Sequence, residues 1–89
     1  MTAEDLIDWL ETAIDDSFDL GWTSRDAARL IVLRMQSEGL VMAPAQPAAD
    51  LVAILHQYRS DMLRPPAPDS RERRVAMIDA AIAKFGRDA

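Results

Sequence analysis

The chain has 89 residues, and its 15 Asp and Glu against 10 Lys and Arg give a formal net charge of −5. With no cysteine and one histidine, it cannot form a disulfide framework, a cysteine-based zinc site or a multi-histidine metal site. No apolar run approaches the ~20 residues that span a bilayer, and positions 4–19 carry seven acidic residues and no basic one, unlike a signal peptide. We therefore expect a complete, soluble, cytoplasmic protein with a single domain over residues 1–89, no metal and no cofactor.

The first predicted helix covers residues 2–16. Thr2 and Asp5 have the spacing of a capping box, and the acidic residues near them suit the positive end of the helix dipole. At 100° per residue, apolar side chains fall on one side of this helix and acidic ones on the other. The apolar side contains Leu6, Ile7, Trp9, Leu10, Ala13 and Ile14.

A second helix is predicted over residues 24–38. Thr23 and Asp26 repeat the capping-box spacing, and Gly39 suits a left-handed C-cap. Apolar residues occupy most of the circumference, which is typical of a central helix contacted on several sides. Leu40–Met42 then predict an extended connection, because chain that approaches a proline avoids the α conformation.

The C-terminal half predicts helices over residues 48–63 and 70–85, separated by a Pro-rich spacer at 65–68. Asp69 and Glu72 predict a third capping box, and the glycine after the last helix predicts its end. The buried stripe of the third helix contains Leu51, Ile54, Leu55, Tyr58 and Met62. The fold class is therefore predicted as all-α, a small bundle of about four helices.

The charges are unevenly distributed along the chain. We interpret the acidic exterior of the first helix mainly as a solvated face, with docking to a basic partner as the alternative. Arg71, Arg73 and Arg74 lie at the start of the last helix. We expect them chiefly to pair with the acidic first helix, within the chain or across a dimer. Contact with phosphates is the alternative.

Three individual side chains need an explanation. Trp9 lies at the margin of the first apolar stripe, beside Asp5 and Asp16 on the helical wheel. Core packing is the favoured interpretation, and an exposed hot spot for a partner is the alternative. Arg34 is expected to find a carboxylate on the first helix if it is buried. His56 is expected to be a packed surface residue and not a catalyst, since the sequence has no phosphate loop or nucleophile elbow.

Two resemblances bear on function. Residues 23–41 resemble the recognition helix and Gly-Leu-Val stretch of winged-helix regulators, but the strands of a wing are missing and the net charge is negative. Ala27–Val32 followed by Glu38–Val41 resemble small helical proteins of unknown function from actinobacteria and their phages. This second resemblance implies a phage or mobile-element protein that binds a host factor, and it implies no site residues.

The sequence thus predicts a non-enzymatic protein–protein interaction module, with a homodimer as a further expectation. The predicted partner-binding residues are Asp5, Trp9, Asp16, Arg71, Arg73 and Arg74. The alternative is a small DNA-binding transcriptional regulator that uses helix 24–38 or the Arg71–Arg74 edge.

Overall fold

The computed structural model describes residues 3–43 and 48–87. Within these ranges the chain forms four helices and a two-stranded antiparallel ladder. The elements are α1 (Ala3–Asp19), α2 (Ser24–Ser37), β1 (Leu40–Met42), α3 (Ala48–Met62), α4 (Ser70–Ile82) and β2 (Phe85–Arg87). The predicted small all-α bundle is confirmed, with the short ladder added to it.

Each helix contributes to one apolar core. α2 packs against α1 and α3, and α4 packs against α1 and α3 within the same chain. The buried apolar residues are Leu10, Ile14, Ala27, Ala28, Ile31, Met35, Leu51, Leu55, Tyr58, Ile78 and Ala81. The prediction that α2 is contacted on several sides is confirmed, because it packs against α1, α3 and β1. One side of it remains open and carries Leu33, which is 59% exposed.

α1 is one turn longer than predicted. The helix continues through Asp19, and within its last turn the hydroxyl of Ser17 donates to the carbonyl oxygen of Ala13 at 2.7 Å. The helix ends at Asp19, and Gly21 just beyond it has φ +87°. The Gly21 amide donates to the Phe18 carbonyl and the Trp22 amide donates to the Ser17 carbonyl, which is the hydrogen-bond pattern of a Schellman C-cap.

Both predicted ends of α2 are confirmed. The Thr23 side chain accepts from the Asp26 amide, and the Asp26 carboxylate accepts from the Thr23 amide, which completes the capping box. Gly39 has φ +78°, the left-handed conformation expected of it. The capping box predicted from Thr2 and Asp5 involves a residue outside the described ranges.

α4 begins at Ser70, as predicted, but its N-terminal capping and its C-terminal end differ from prediction. Asp69 makes no side-chain capping bond and instead accepts from Arg73, so the predicted third capping box is wrong. The helix ends at Ile82, and Phe85 and Gly86 lie in β2. Met42 of β1 is the register partner of Phe85. The helix ends earlier than predicted because the backbone that follows it forms hydrogen bonds with β1. Helical periodicity in the sequence does not indicate such a tertiary contact.

A candidate protein-docking surface

α1 lies between α2 and α4, and its two flanks have different contacts. On the α2 flank, the Arg34 guanidinium lies over the Trp9 ring, 4.6 Å from its centroid. On the α4 flank, Arg71 forms ion pairs with Asp8 and Glu11. The predicted partner-binding residues therefore do not form one surface, because Trp9 and Arg71 contact different neighbours of α1.

The Trp9 indole belongs to the surface. It is 39% exposed and is not part of the buried core, so the favoured interpretation of core packing is wrong. A cation held over an indole is attracted by the ring quadrupole, which here fixes the ring against α2. Arg34 itself forms an ion pair with Glu38, the C-cap residue of α2, at 2.9 Å. The indole is thus a positioned aromatic side chain with part of its area in water.

Two acidic residues flank this tryptophan. Asp5 precedes Trp9 by one helical turn, and Asp16 follows it by two turns on the same side of α1. Both carboxylates are exposed. We name Asp5, Trp9 and Asp16 the Trp9 surface.

The predicted pairing between the arginine cluster and α1 is confirmed for Arg71. Its Nη2 lies 3.2 Å from Oδ1 of Asp8, and its Nε lies 3.6 Å from Oε2 of Glu11. Arg71 and Asp8 are both about two-thirds exposed, so water screens their attraction and the pair contributes at most ~1 kcal/mol to stability.

The other two arginines contact different parts of the chain. Arg73 is 3.0 Å from both Asp61 and Asp69, and the Asp61 side chain is only 5% exposed. Arg74 is half-buried near Asp15, and within the described residues its Nε makes no hydrogen bond. The Arg71–Arg74 edge is therefore divided among three sets of contacts and is not one continuous basic surface.

A polar pair joins α1 to α3, between the half-buried Asp15 and the buried Tyr58. The buried hydroxyl of Tyr58 donates to Oδ1 of Asp15 at 2.8 Å. Burial raises the pKa of Asp15 above its usual value, although the Tyr58 hydrogen bond acts in the opposite direction. Burial and the neighbouring carboxylate also raise the pKa of Tyr58, so its phenol stays protonated and remains a donor.

A serine and a histidine form a second polar contact that sequence reasoning missed. Oγ of Ser24 and Nδ1 of His56 are 2.8 Å apart. The pair has the composition of a nucleophile and its base, but Ser24 is only 2% exposed and its hydroxyl is covered. The contact therefore joins the start of α2 to α3. The only available signal was the polar residue that directly follows the capping Thr23.

Two openings flank α2. An apolar groove of about 600 Å³ lies between α2 and α3, with Arg25, Arg29 and His56 among its lining residues. A second opening of about 390 Å³ lies on the outer side of α2 and is lined by Trp22, Asp26, Arg29, Leu30 and Leu33. Trp22 is 40% exposed, so core packing is not its role either.

Residues 3–43 and 48–87 contain neither a metal-binding cluster nor a membrane-spanning helix. No group of three or more acidic or histidine side chains is arranged to hold a metal ion, and no helix there is long and apolar enough to cross a membrane. In comparisons with known proteins, no family, no curated protein and no solved structure matches this chain.

Proposed function

We propose that this chain is a non-enzymatic interaction module that docks another protein through the Trp9 surface. The observation that carries the proposal is the state of Trp9, an indole that is 39% exposed and held in place by Arg34. Tryptophan is enriched among the residues that dominate binding energy at protein interfaces. A side chain already fixed in the free protein loses little conformational entropy when a partner covers it.

The charge around Trp9 supports a basic partner. Asp5 and Asp16 are exposed on the same side of α1, and the chain as a whole carries a net charge of −5. Complementary charge accelerates the encounter of two proteins and suppresses association with acidic surfaces. The resemblance to actinobacterial and phage proteins favours a host factor as the partner of a phage-encoded protein.

The test is capture of binding proteins by immobilised wild-type chain and by the variant Trp9→Ala, from a lysate of an actinobacterial host. The matched control is Leu63→Ala, because Leu63 directly follows α3 and is 80% exposed. We expect a protein that wild type and Leu63→Ala retain equally and that Trp9→Ala binds at least ~10-fold more weakly, the loss expected for a tryptophan hot spot.

Two further measurements make this test decisive. Asp5→Asn/Asp16→Asn should weaken capture of the same protein and reduce its salt dependence, because the proposed attraction is electrostatic. All variants should melt close to wild type. Equal capture by Trp9→Ala and wild type would contradict the proposal. A large drop in the melting temperature of Trp9→Ala would instead assign the indole to stability.

A further inference from the structure

The outer side of α2 carries a stripe with an internal symmetry. Asp26, Arg29 and Leu33 of α2 are spaced by three and four residues, the spacing of successive a and d positions in a coiled-coil seam. Trp22 precedes the Thr23 cap of α2 and lies four positions before Asp26 in the sequence. These four residues line the opening on the outer side of α2, together with the half-buried Leu30. We name Trp22, Asp26, Arg29 and Leu33 the α2 stripe.

We propose that the α2 stripe is the interface of a homodimer in which two α2 helices pack antiparallel about a two-fold axis. In antiparallel seams, an a residue faces a d residue of the partner. An axis that passes between positions 27 and 28 places Asp26 opposite Arg29 of the second copy, and it brings Leu33 to the start of the second α2, where the Trp22 of that copy lies. Each contact occurs twice, because a two-fold interface uses the same patch on both subunits.

The exposure of the stripe is consistent with this pairing. Leu33 is 59% exposed and Trp22 is 40% exposed, so each has apolar area that the other could cover. The two residues lie at the two ends of the stripe, where an antiparallel partner brings unlike ends together. In a parallel pair each residue would meet its own copy, and Arg29 would face Arg29 and Asp26 would face Asp26.

The charged residues of the α2 stripe, Asp26 and Arg29, are complementary between the two copies. Arg29 is exposed and makes no ion pair within the described residues. Asp26 is also exposed, and both of its capping bonds with Thr23 use Oδ2. Its Oδ1 can therefore accept from Arg29 of the second copy without loss of the cap. The contacts are few, so we expect a concentration-dependent dimer at the small end of specific interfaces.

The first test is sedimentation equilibrium of the full chain over a concentration series. We expect the mass to rise from 9.9 kDa toward twice that value. Arg29→Asp sets like charges opposite each other at two positions and should keep the chain monomeric over the same range. Leu33→Ser should do the same. The controls Arg64→Asp and Leu63→Ser change exposed residues outside α2 and should dimerise like wild type.

The second test measures orientation. The chain has no cysteine, so a spin label at Gln36→Cys, an exposed position of α2, is unique. In the antiparallel dimer the two labels should be about 25 Å apart along the helix direction, from the rise of 1.5 Å per residue. In a parallel pair they would be separated by about the helix–helix distance, ~10 Å.

Three outcomes would overturn the proposal. One is a mass of 9.9 kDa at every concentration, and another is a dimer that Arg29→Asp and Leu33→Ser leave unchanged. The third is a label separation near that of a parallel pair. Because the Trp9 surface is not part of the α2 stripe, Trp9→Ala should leave the dimer intact, so the two proposals can fail separately.

Discussion

Tyr58 and Asp15 join α3 to α1 through a hydrogen bond of 2.8 Å between residues that are 43 positions apart in the chain. The tyrosine is fully buried, and its ring lies 6.3 Å from that of Phe18. A polar contact in this position is favourable only while both groups keep their partner, because an unsatisfied buried group is costly. The stability of the bundle therefore depends on the Tyr58 hydroxyl as a donor and on the ionisation of the Asp15 carboxyl.

Tyr58→Phe removes the donor and keeps the ring. We expect the free energy of unfolding to fall by about 1–2 kcal/mol, because Asp15 loses its partner in a half-buried site. Urea denaturation followed by circular dichroism measures this loss, with an unchanged m value as the sign that the fold is retained. A variant as stable as wild type would mean that water replaces the hydroxyl at no cost.

Asp15→Asn tests the pH dependence. The folded pKa of Asp15 is raised, so its contribution to stability is full below the unfolded value of 3.8 and is lost as pH rises through the folded pKa. Asparagine still accepts from Tyr58 and does not ionise. We expect Asp15→Asn to be more stable than wild type at neutral pH by less than ~1 kcal/mol, because water screens a half-buried carboxylate. That advantage should vanish below pH 3.8. Melting temperatures of both proteins between acidic and neutral pH measure the difference. If Asp15→Asn were less stable than wild type at neutral pH, the prediction would be contradicted.

Arg73→Ala and Arg71→Ala should differ in cost although both remove one arginine from α4. Arg73 is the partner of Asp61, whose side chain is 5% exposed, whereas the Asp8 partner of Arg71 is 64% exposed. We expect a loss of about 1.5–3 kcal/mol for Arg73→Ala and less than ~1 kcal/mol for Arg71→Ala. Equal denaturation midpoints for the two variants would show that Asp61 is rehydrated when Arg73 is removed.

Gly21→Ala tests the end of α1. An alanine at φ +87° places its Cβ too close to the carbonyl oxygen, so we expect a loss of about 1–2 kcal/mol. Gly86→Ala is the matched control, because Gly86 does not have a positive φ and an added Cβ there meets no atom within 4 Å. Thermal melting of both variants should separate the effect of backbone conformation from that of an added methyl group.

The helices were predictable from the sequence because their signals are local. The capping box of Thr23 and Asp26 and the left-handed Gly39 are both in the structure, and each depends on residues within one helical turn. The start of α4 at Ser70 follows in the same way from the end of the Pro-rich spacer. Local chemistry therefore placed the four helices in sequence with small errors at their ends.

The features that sequence reasoning missed depend on tertiary contact. Phe85 fits the helical stripe of α4 by spacing, but it pairs with Met42 in the ladder. Trp9 fits the apolar stripe of α1, but it lies at the edge against Arg34. Ser24 and His56 meet across α2 and α3. In each case the partner is distant in sequence, and periodicity along one helix contains no information about it.

The ladder between β1 and β2 also has a consequence for folding order. It closes a loop that contains the whole of α3 and α4. In return it forms only a few backbone hydrogen bonds, because each strand has three residues. Closing a long unfolded loop costs conformational entropy that so few bonds do not offset. We expect the helices to dock first and the ladder to form last. In native-state hydrogen exchange, the amides of β2 should then open in a local event well before those at the centre of α1.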